Sequence, residues 1–221
     1  MFNTNRRTAA IAAASVTGLG LIAVGAAWSP MAASAAATTA AATAQADTVY
    51  EVDQVHSGVH FRIRHAGVGF FWGRFDKGDG EFFIDEDNPS NSFFRATIDV
   101  ASVNTGNEKR DDHLRAADFF NTRQFPQATF ESTSFRKASG ENKFVLEGNL
   151  TLMGETRPVT ADVTYGGTGT FRGNQVQGFE AVFEIKRSDF GLTTYLAPDG
   201  GEDGGLGNTV RLVVGVEGRK Q

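Results

Sequence analysis

The sequence has no cysteine among its 221 residues. This absence excludes a disulfide framework, a thiolate zinc site, an iron–sulfur cluster, a cysteine nucleophile and a lipid-modified N-terminal cysteine. An excess of positive charge is also lacking, because 21 Lys and Arg residues stand against 26 Asp and Glu residues and the net charge is −5. Without a basic stripe, nucleic acid is not expected as a partner.

Polar aromatic residues are scarce, with three Tyr and two Trp against 19 Phe. Tyr and Trp rings carry a hydrogen-bonding group, whereas Phe rings supply only apolar surface. The aromatic content therefore indicates a protein that lines an apolar space.

Residues 1–46 have no acidic residue and only two basic residues, Arg6 and Arg7, which precede a long uncharged run. This layout predicts a signal peptide and Ala-rich leader over 1–46, cleaved after Ala46 at the second of two small-x-small sites. The twin-arginine and general secretory routes both stay open, as does an uncleaved anchor, since about 20 uncharged residues can span a bilayer. In each case we expect the domain over 47–221, with a net charge of −7, to be periplasmic or secreted.

Apolar and polar residues alternate through most of this domain, as they do in strands with one apolar face. In the clearest case Val59, Phe61 and Ile63 alternate with polar neighbours. The same alternation recurs over 94–100, 144–152, 159–165, 179–185 and 210–216, and weaker strands are expected over 74–85 and 129–136. Eight antiparallel strands with short turns match a small closed barrel, although the pattern alone also allows a two-sheet sandwich.

The segment over 107–120 interrupts the strand pattern, with Arg110 and Leu114 at helical spacing. It predicts a short helix between strands. Because two helical turns do not fold alone, Leu114, Phe119 and Phe120 are expected to pack on the barrel.

The surplus of Phe favours a barrel that leaves a central tunnel, since a core of this size needs fewer bulky rings. In each strand, alternate positions carry the apolar side chains and are expected to point into the barrel; we say that these positions have inward parity. The residues at these positions, including one histidine, form the predicted ligand-binding wall. They are Val59, Phe61, Ile63, His65, Phe75, Phe94, Ile98, Phe130, Phe144, Leu146, Leu150, Leu152, Phe179, Phe183 and Ile185.

Six sequence blocks carry a resemblance to a known family. They are DQVHSGVHFRIRH at 53–65, SVNTGN and KRDDHL at 102–107 and 109–114, DFF at 118–120 followed by FP at 125–126, TFEST at 129–133, GNLTL and TRPV at 148–152 and 156–159, and KRSDFG at 186–191. Through them the chain resembles the YceI-like family, the lipocalin-like polyisoprenoid-binding proteins, over nearly all of 47–221. The resemblance implies an all-β, eight-stranded antiparallel lipocalin-like β-barrel whose tunnel holds a long isoprenoid or similar lipid, with no known reaction. Two departures bear on the tunnel's shape: Met153 stands where many members have His and Gly78 where an aromatic is common, both in expected strands.

The sequence has four imidazoles, His56, His60, His65 and His113. No metal site is predicted from them, because three or four ligands must converge and the fold would have to bring Asp53, Asp111 or His113 close to the others. His65 has inward parity, so we expect it among apolar side chains with a partner such as Ser57, a backbone carbonyl or a ligand head group.

Charges are dense around Lys109 and Arg110, which two Asp residues follow. One interpretation is a solvated helix face with local ion pairs. The other is a basic rim for an anionic head group, formed by Arg64, Arg74, Arg110 and Arg187.

The sequence as a whole predicts an exported carrier, not an enzyme, that holds a polyprenyl chain, quinone tail or fatty amide and needs no cofactor. Its partner is a lipid, stable membrane insertion of the domain is not expected, and a homodimer stays open. One alternative is an enzyme acting on an isoprenoid or quinone with His65 and an inward carboxylate as acid and base. The other is an interaction module without a small ligand, using the aromatic residues at 70–72.

Overall fold

The computed structural model describes residues 49–221, and the predicted leader over 1–46 lies outside them. The described chain is mostly strand, with one α-helix and three short 3-10 helices. Its strands are β1 (Tyr50–Val52), β2 (Gly58–His65), β3 (Gly69–Phe75), β4 (Gly78–Phe83), β5 (Phe93–Asp99), β6 (Val103–Asn104), β7 (Gln127–Lys137), β8 (Lys143–Leu152), β9 (Glu155–Phe171), β10 (Asn174–Lys186) and β11 (Leu206–Lys220). The helix α1 spans Glu108–Arg115, and the 3-10 helices span Pro89–Asn91, Val100–Ser102 and Arg187–Phe190.

These strands form one closed antiparallel barrel, because β1 pairs with both β4 and β11. Three pairs of segments, β1 with β2, β3 with β4, and β5 with β6, are each pieces of one bent strand. For example, β2 pairs with β3 and β1 pairs with β4 in nearly continuous register. The eleven segments therefore make eight barrel strands, which confirms the predicted fold and excludes the sandwich.

The barrel wall is interrupted where the first two long strands break. Pairing between them stops at Val59 opposite Phe75 and resumes at Glu51 opposite Glu81. Residues 52–58 and 76–80 consequently face each other without ladder hydrogen bonds, and we call this place the strand gap.

Strand parity separates the inside from the outside of the barrel as the alternation predicts. The Phe61 ring lies over Gly73, its register partner, where an added Cβ would be 2.3 Å from the ring. Gly148 makes room for the Phe130 ring in the same way, also at 2.3 Å. Glycine at these two strand positions lets bulky rings lie flat against the inner wall.

One end of the barrel is filled by a packed cluster that we call the plug. Its buried members are Tyr50, Phe82, Ile84, Phe94, Phe135, Phe144, Leu146, Ala161, Val163, Tyr165, Phe179, Ala181 and Val216. The rings of Phe82 and Phe94 meet Phe179 edge to face, with centroids 5.1 and 5.2 Å apart, a favourable aromatic geometry. The buried Gln177 amide accepts from the Ile84 N–H at 2.8 Å and donates to the Ile84 carbonyl at 2.9 Å, so the plug leaves this backbone paired.

The opposite end, which we call the mouth, is formed by the β2–β3 turn, α1 and the loop over 192–205. The Asn107 side chain caps α1 by accepting from the Arg110 N–H, and Phe120 packs on Phe75 with ring centroids 5.7 Å apart. The short helix between strands is thus confirmed.

Met153 is not in a strand as predicted. It forms the two-residue β8–β9 turn with Gly154, and both have positive φ, 52° and 79°. Tight hairpins require this backbone conformation at both central residues. Within the described residues, no helix is long and apolar enough to cross a bilayer.

Candidate functional site

A cavity of about 560 Å³ occupies the barrel between the plug and the mouth. Along β11 it extends from Leu206 to Val216, which is about 33 Å of strand at ~3.3 Å per residue. Strands tilted by about 40° reduce this to roughly 25 Å along the barrel axis. The cavity is therefore long and narrow, and most of its lining side chains are apolar.

Most of the predicted wall residues lie along this cavity. They are Val59, Phe61, Ile63, His65, Phe75, Phe94, Ile98, Phe130, Leu146, Leu150, Leu152, Phe183 and Ile185. Phe144 and Phe179 are the exceptions, because they are buried in the plug and do not line the cavity. They have the predicted inward parity but lie too far toward the filled end.

Sequence reasoning missed part of the lining. Val210, Leu212, Val214 and Val216 on β11 line the cavity, and their alternation was visible in the sequence. Leu192 and Tyr195 also line it, but they arrive from a loop that carries no strand signal.

His65 lines the cavity at the mouth and is solvent-exposed, so it is not buried among apolar side chains as predicted. It lies at the last position of β2, opposite Leu206 and Gly69, where the barrel opens. No residue of the described chain hydrogen-bonds its ring, and its expected partner Ser57 instead bonds the backbone of Glu217. The inward parity was predicted correctly, whereas the depth was not.

The four predicted rim arginines do not converge. Arg110 is exposed and lines the cavity, with its guanidinium 4.1 Å from the Phe71 ring centroid. Arg64 and Arg74 lie on the outer face, where they meet Asp203 at 3.9 Å and Asp76 at 2.5 Å. Their even-numbered positions on β2 and β3 point away from the interior.

Arg187 is buried rather than exposed on a rim. Its guanidinium donates to the carbonyls of Gly207, Leu192 and Leu206 at 2.7, 2.6 and 3.0 Å. Burial lowers the pKa of this group and the charge of Glu202 opposes the change. Arg187 borders the cavity, but each of its three guanidinium nitrogens donates to a backbone carbonyl, so it holds the mouth loop against the barrel.

A histidine–carboxylate pair that sequence reasoning did not identify lies at the mouth. The His113 Nε2 atom is 2.8 Å from a carboxylate oxygen of Asp118, and this hydrogen bond lowers the Asp118 pKa. The same imidazole lines the cavity and meets the Phe119 ring at 4.9 Å. The pair offers a polar contact beside an apolar wall.

The strand gap gives the cavity a second polar border. Exposed Gln54, Asp76, Lys77 and Asp79 contribute to its lining, and the Gln54 amide donates to Asp79. Gly78, at the first position of β4, also lines the cavity, and an added Cβ there would be 2.4 Å from Ile98. Glycine at this position keeps the wall open within the gap.

Among residues 49–221 the fold brings together one group of metal-type donors, Asp53, His56 and Glu217, whose ligand atoms lie within 4.8 Å of one another. Nitrogen and carboxylate donors suit zinc or copper. However, the Asp53 oxygen that lies 3.0 Å from His56 Nδ1 also accepts a hydrogen bond from Arg219 at 2.6 Å, so a cationic side chain already pairs with that carboxylate. The hydrogen bond with His56 is the largest cause of the lowered Asp53 pKa, followed by the hydrogen bond from the Val55 N–H.

These contacts fit a structural role better than metal binding, because they fasten the segment over 53–57 to β11. The Asp53 N–H donates to the Glu217 carbonyl at 2.8 Å, and Ser57 exchanges hydrogen bonds with the same backbone at 3.0 Å. The other suggested metal partners lie elsewhere, since Asp111 accepts from Thr105 beside α1 and His113 pairs with Asp118.

Comparisons with known proteins agree with this architecture. Residues 50–218 match the family model described as YceI-like domain. The YceI proteins of Salmonella arizonae and Salmonella enteritidis are each 43% identical over 175 residues, covering 78% of this chain and 87% of theirs.

Solved structures show the same fold. BcnA of Burkholderia cenocepacia is 28% identical with a TM-score of 0.65, covering 75% of this chain and 98% of its own. The Campylobacter jejuni YceI protein is also 28% identical, with a TM-score of 0.59 and coverage of 67% and 84%. A polyisoprenoid binding domain from Saccharophagus degradans is similar in fold at 18% identity, with a TM-score of 0.57 and coverage of 78% and 98%. The barrel, the family match and the close relatives establish that this chain belongs to the YceI-like domain family.

Proposed function

We propose that this protein is an exported carrier that sequesters a long isoprenoid or similar lipid in the barrel cavity. The observation that carries the proposal is the cavity itself, which is long, narrow and walled by apolar side chains over most of its length. Transferring on the order of 500 Å² of lipid surface from water yields roughly 12 kcal/mol at about 25 cal/mol/Å². The free-energy costs of association and of ordering the lipid chain offset several kcal/mol of this gain, and the remainder corresponds to roughly micromolar or tighter binding.

The likeness to relatives supports the ligand class. The Saccharophagus degradans structure is named as a polyisoprenoid binding domain, and its fold matches this one. A polyprenyl chain, a quinone tail and a fatty amide share the slender apolar shape that the cavity accommodates.

We propose binding without catalysis. A general acid or base must approach the reacting group with a suitably tuned proton affinity. His65 has no carboxylate partner in the described chain, and His113 pairs with Asp118 at the mouth. The middle of the cavity is lined by apolar residues such as Phe61, Phe130 and Leu212. The polar groups lie at the two openings, where they suit contacts with a ligand's head group or with solvent.

Export is part of the proposal and depends on residues 1–46, outside the described structure. The expected N-terminus of protein recovered from the producing cell is Asp47, after cleavage behind Ala46. N-terminal sequencing tests this, and an intact Met1 on the recovered protein would contradict it.

The binding test compares two neighbouring positions on β7. Phe130 lines the cavity, whereas Thr129 is exposed on the outer face. Phe130→Asp places a charge in the wall and should abolish saturable binding of a C40 polyprenol, because an unpaired buried charge costs several kcal/mol. Thr129→Asp adds the same charge outside and should leave binding unchanged.

Native mass spectrometry of the recovered wild-type protein provides the second measurement. A bound lipid that is present in wild type and Thr129→Asp but absent from a folded Phe130→Asp variant supports the carrier. Circular dichroism establishes whether each variant is folded. Equal polyprenol binding by both folded variants would refute the cavity as the binding site.

A further inference from the structure

The hairpin formed by β2 and β3 differs in charge from the rest of the protein. Residues 58–75 contain three arginines, Arg62, Arg64 and Arg74, and no Asp or Glu, whereas residues 47–221 carry a net charge of −7. All three arginines have outward parity on the barrel. The outer face of this hairpin is therefore basic on an otherwise acidic protein.

The same face exposes large apolar side chains. Val68, at the turn, is 92% exposed, and Phe70 and Trp72 on β3 are 63% and 51% exposed. Between them, Phe71 has the opposite parity and lines the cavity. Contiguous exposed apolar side chains of this size mark an interaction surface.

Tyr195 belongs to the same end of the barrel and is also exposed. Its carbonyl accepts from the Leu206 N–H at 3.0 Å, and the adjoining Gly205 carbonyl accepts from Ala66 at 3.0 Å. We use the term docking face for Arg62, Val68, Phe70, Trp72 and Tyr195.

Arg62 is the cation of this face that has no carboxylate partner in the described chain. Its guanidinium lies 4.3 Å from the Phe70 ring centroid and 5.8 Å from that of Trp72. Arg64 and Arg74 are matched with Asp203 and Asp76. A guanidinium held over aromatic rings and free of a counter-ion is well placed to meet a phosphate.

The docking face borders the cavity mouth. His65 and Phe71 of the same hairpin line the cavity. β6 pairs with β3 only at Arg74 and Phe75, so no strand of the described chain lies on the other side of β3 over 69–73. Whatever contacts this face is therefore adjacent to the entrance.

We propose that the docking face binds the surface of a phospholipid bilayer and brings the mouth to the membrane. Trp and Tyr rings favour the boundary between head groups and acyl chains, and arginine pairs with the phosphates above it. A bilayer matches both the charge and the apolar character of the face and is continuous with the apolar cavity. This inference rests on the proposed carrier function, for which a bilayer is the source or destination of the ligand.

The test measures cosedimentation of the recovered protein with vesicles of phosphatidylcholine containing phosphatidylglycerol. The double variant Phe70→Ser/Trp72→Ser should bind these vesicles at least about tenfold more weakly, since two exposed aromatic contacts are lost. Arg62→Gln should weaken binding to these vesicles more than to vesicles of phosphatidylcholine alone, because phosphatidylglycerol has a net negative charge that attracts the guanidinium, whereas the choline group neutralises the phosphate of phosphatidylcholine.

The matched control is Phe171→Ser. Phe171 is an exposed ring with Arg172 above it at 5.2 Å, at the β9–β10 turn of the plugged end. This variant should bind vesicles as wild type does. The leader region is the same in all variants, so differences between them report on the barrel.

Several outcomes would overturn the proposal. They are absence of wild-type vesicle binding, equal loss in Phe171→Ser and the hairpin variant, and a wild-type dimer that becomes monomeric in the hairpin variant while vesicle binding is unchanged. The last outcome would assign the face to a second copy of the chain.

A second assay, in which the protein takes up polyprenol supplied as a cyclodextrin complex, distinguishes this proposal from the carrier proposal. The hairpin variant should retain that binding because its cavity is intact. Vesicle binding without any polyprenol binding by wild type would refute the carrier and leave the docking face standing.

Discussion

The plug and the cavity are built by the same strands with the same inward parity, yet one is packed and the other is hollow. In the plug, Phe82 is fully buried and contacts Phe94 and Phe179 through edge-to-face rings. Toward the mouth, Phe61 and Phe75 also contact each other, at 5.7 Å, but they leave open space between opposite walls. The packing thus changes along the barrel axis, and Phe94 and Leu146, which belong to the plug and also line the cavity, lie where the two regions meet.

The largest expected effect on stability comes from removing one ring from the plug. Phe82→Ala removes a ring that is packed on all sides and should lower the free energy of unfolding by about 3–5 kcal/mol. Phe183→Ala removes a ring that borders existing open space and should cost roughly 1–2 kcal/mol, because it creates less new cavity. Urea unfolding of both variants measures the difference, and equal losses would mean that the cavity wall at Phe183 is packed as densely as the plug.

At the mouth, Arg187 holds the loop over 192–205, and replacing it tests how much this contact contributes to stability relative to the packing of the plug. Arg187→Met leaves three backbone carbonyls, two of them buried, without their charged donor and should cost about 2–3 kcal/mol. Limited proteolysis should cut first within the loop over 192–205. Arg64→Met, which loses a surface contact with Asp203 and a hydrogen bond to the Gly67 carbonyl, should cost about 1 kcal/mol or less. Similar losses in the two variants would contradict a specific anchoring role for Arg187.

Inward and outward positions were predictable from the sequence because strand alternation is local. Val59, Phe61 and Ile63 line the interior as expected. Their level along the barrel axis was not predictable, since it depends on register and closure between distant strands. Phe144 and Phe179 therefore have the right parity but lie in the plug.

The mouth was harder to predict because loops complete it. His65 is inward but exposed, since β2 ends there, and Arg187 is buried because the segment over 192–207 folds over it. Gly154 was the available signal that Met153 belongs to a tight turn. The docking face combines Phe70 and Trp72, visible in the sequence, with Arg62, which only the strand register places beside them.

A smaller effect comes from Gly148, which lies on the inner wall beneath the Phe130 ring. Gly148→Ala puts a methyl group 2.3 Å from the Phe130 ring and 2.6 Å from the Glu131 carbonyl, and should cost about 1–3 kcal/mol by overpacking. Gly215→Ala is the control, because Gly215 shares the outward parity of its register partner Glu180 and no atom lies within 4 Å of an added Cβ. Thermal unfolding should leave the second variant near wild type, and equal destabilisation of the two variants would contradict overpacking against the Phe130 ring.

The smallest predicted effect concerns pH, and it compares a carboxylate near the strand gap with one at the mouth. The hydrogen bonds from His56 and the Val55 N–H, with the charge of Arg219, hold the Asp53 pKa below its ordinary value of 3.8. The Asp53 side chain is only 7% exposed, whereas that of Asp118 is 51% exposed. The contacts of Asp53 should therefore be the less screened by solvent.

The sign follows from the lowered pKa. A carboxylate whose pKa is lower in the folded than in the unfolded protein stabilises the fold fully at pH values above 3.8, and this stabilisation is lost as the pH falls through the folded-state pKa. The difference in unfolding free energy between wild type and Asp53→Asn should accordingly be constant above about pH 5 and shrink in more acidic solution. Asp118→Asn should show the same direction with a smaller amplitude, because its partner His113 lies at the exposed mouth. Urea titrations from neutral to acidic pH measure both differences. A wild-type advantage over Asp53→Asn that grew on acidification would contradict the role assigned to this carboxylate in fastening the strand gap to β11.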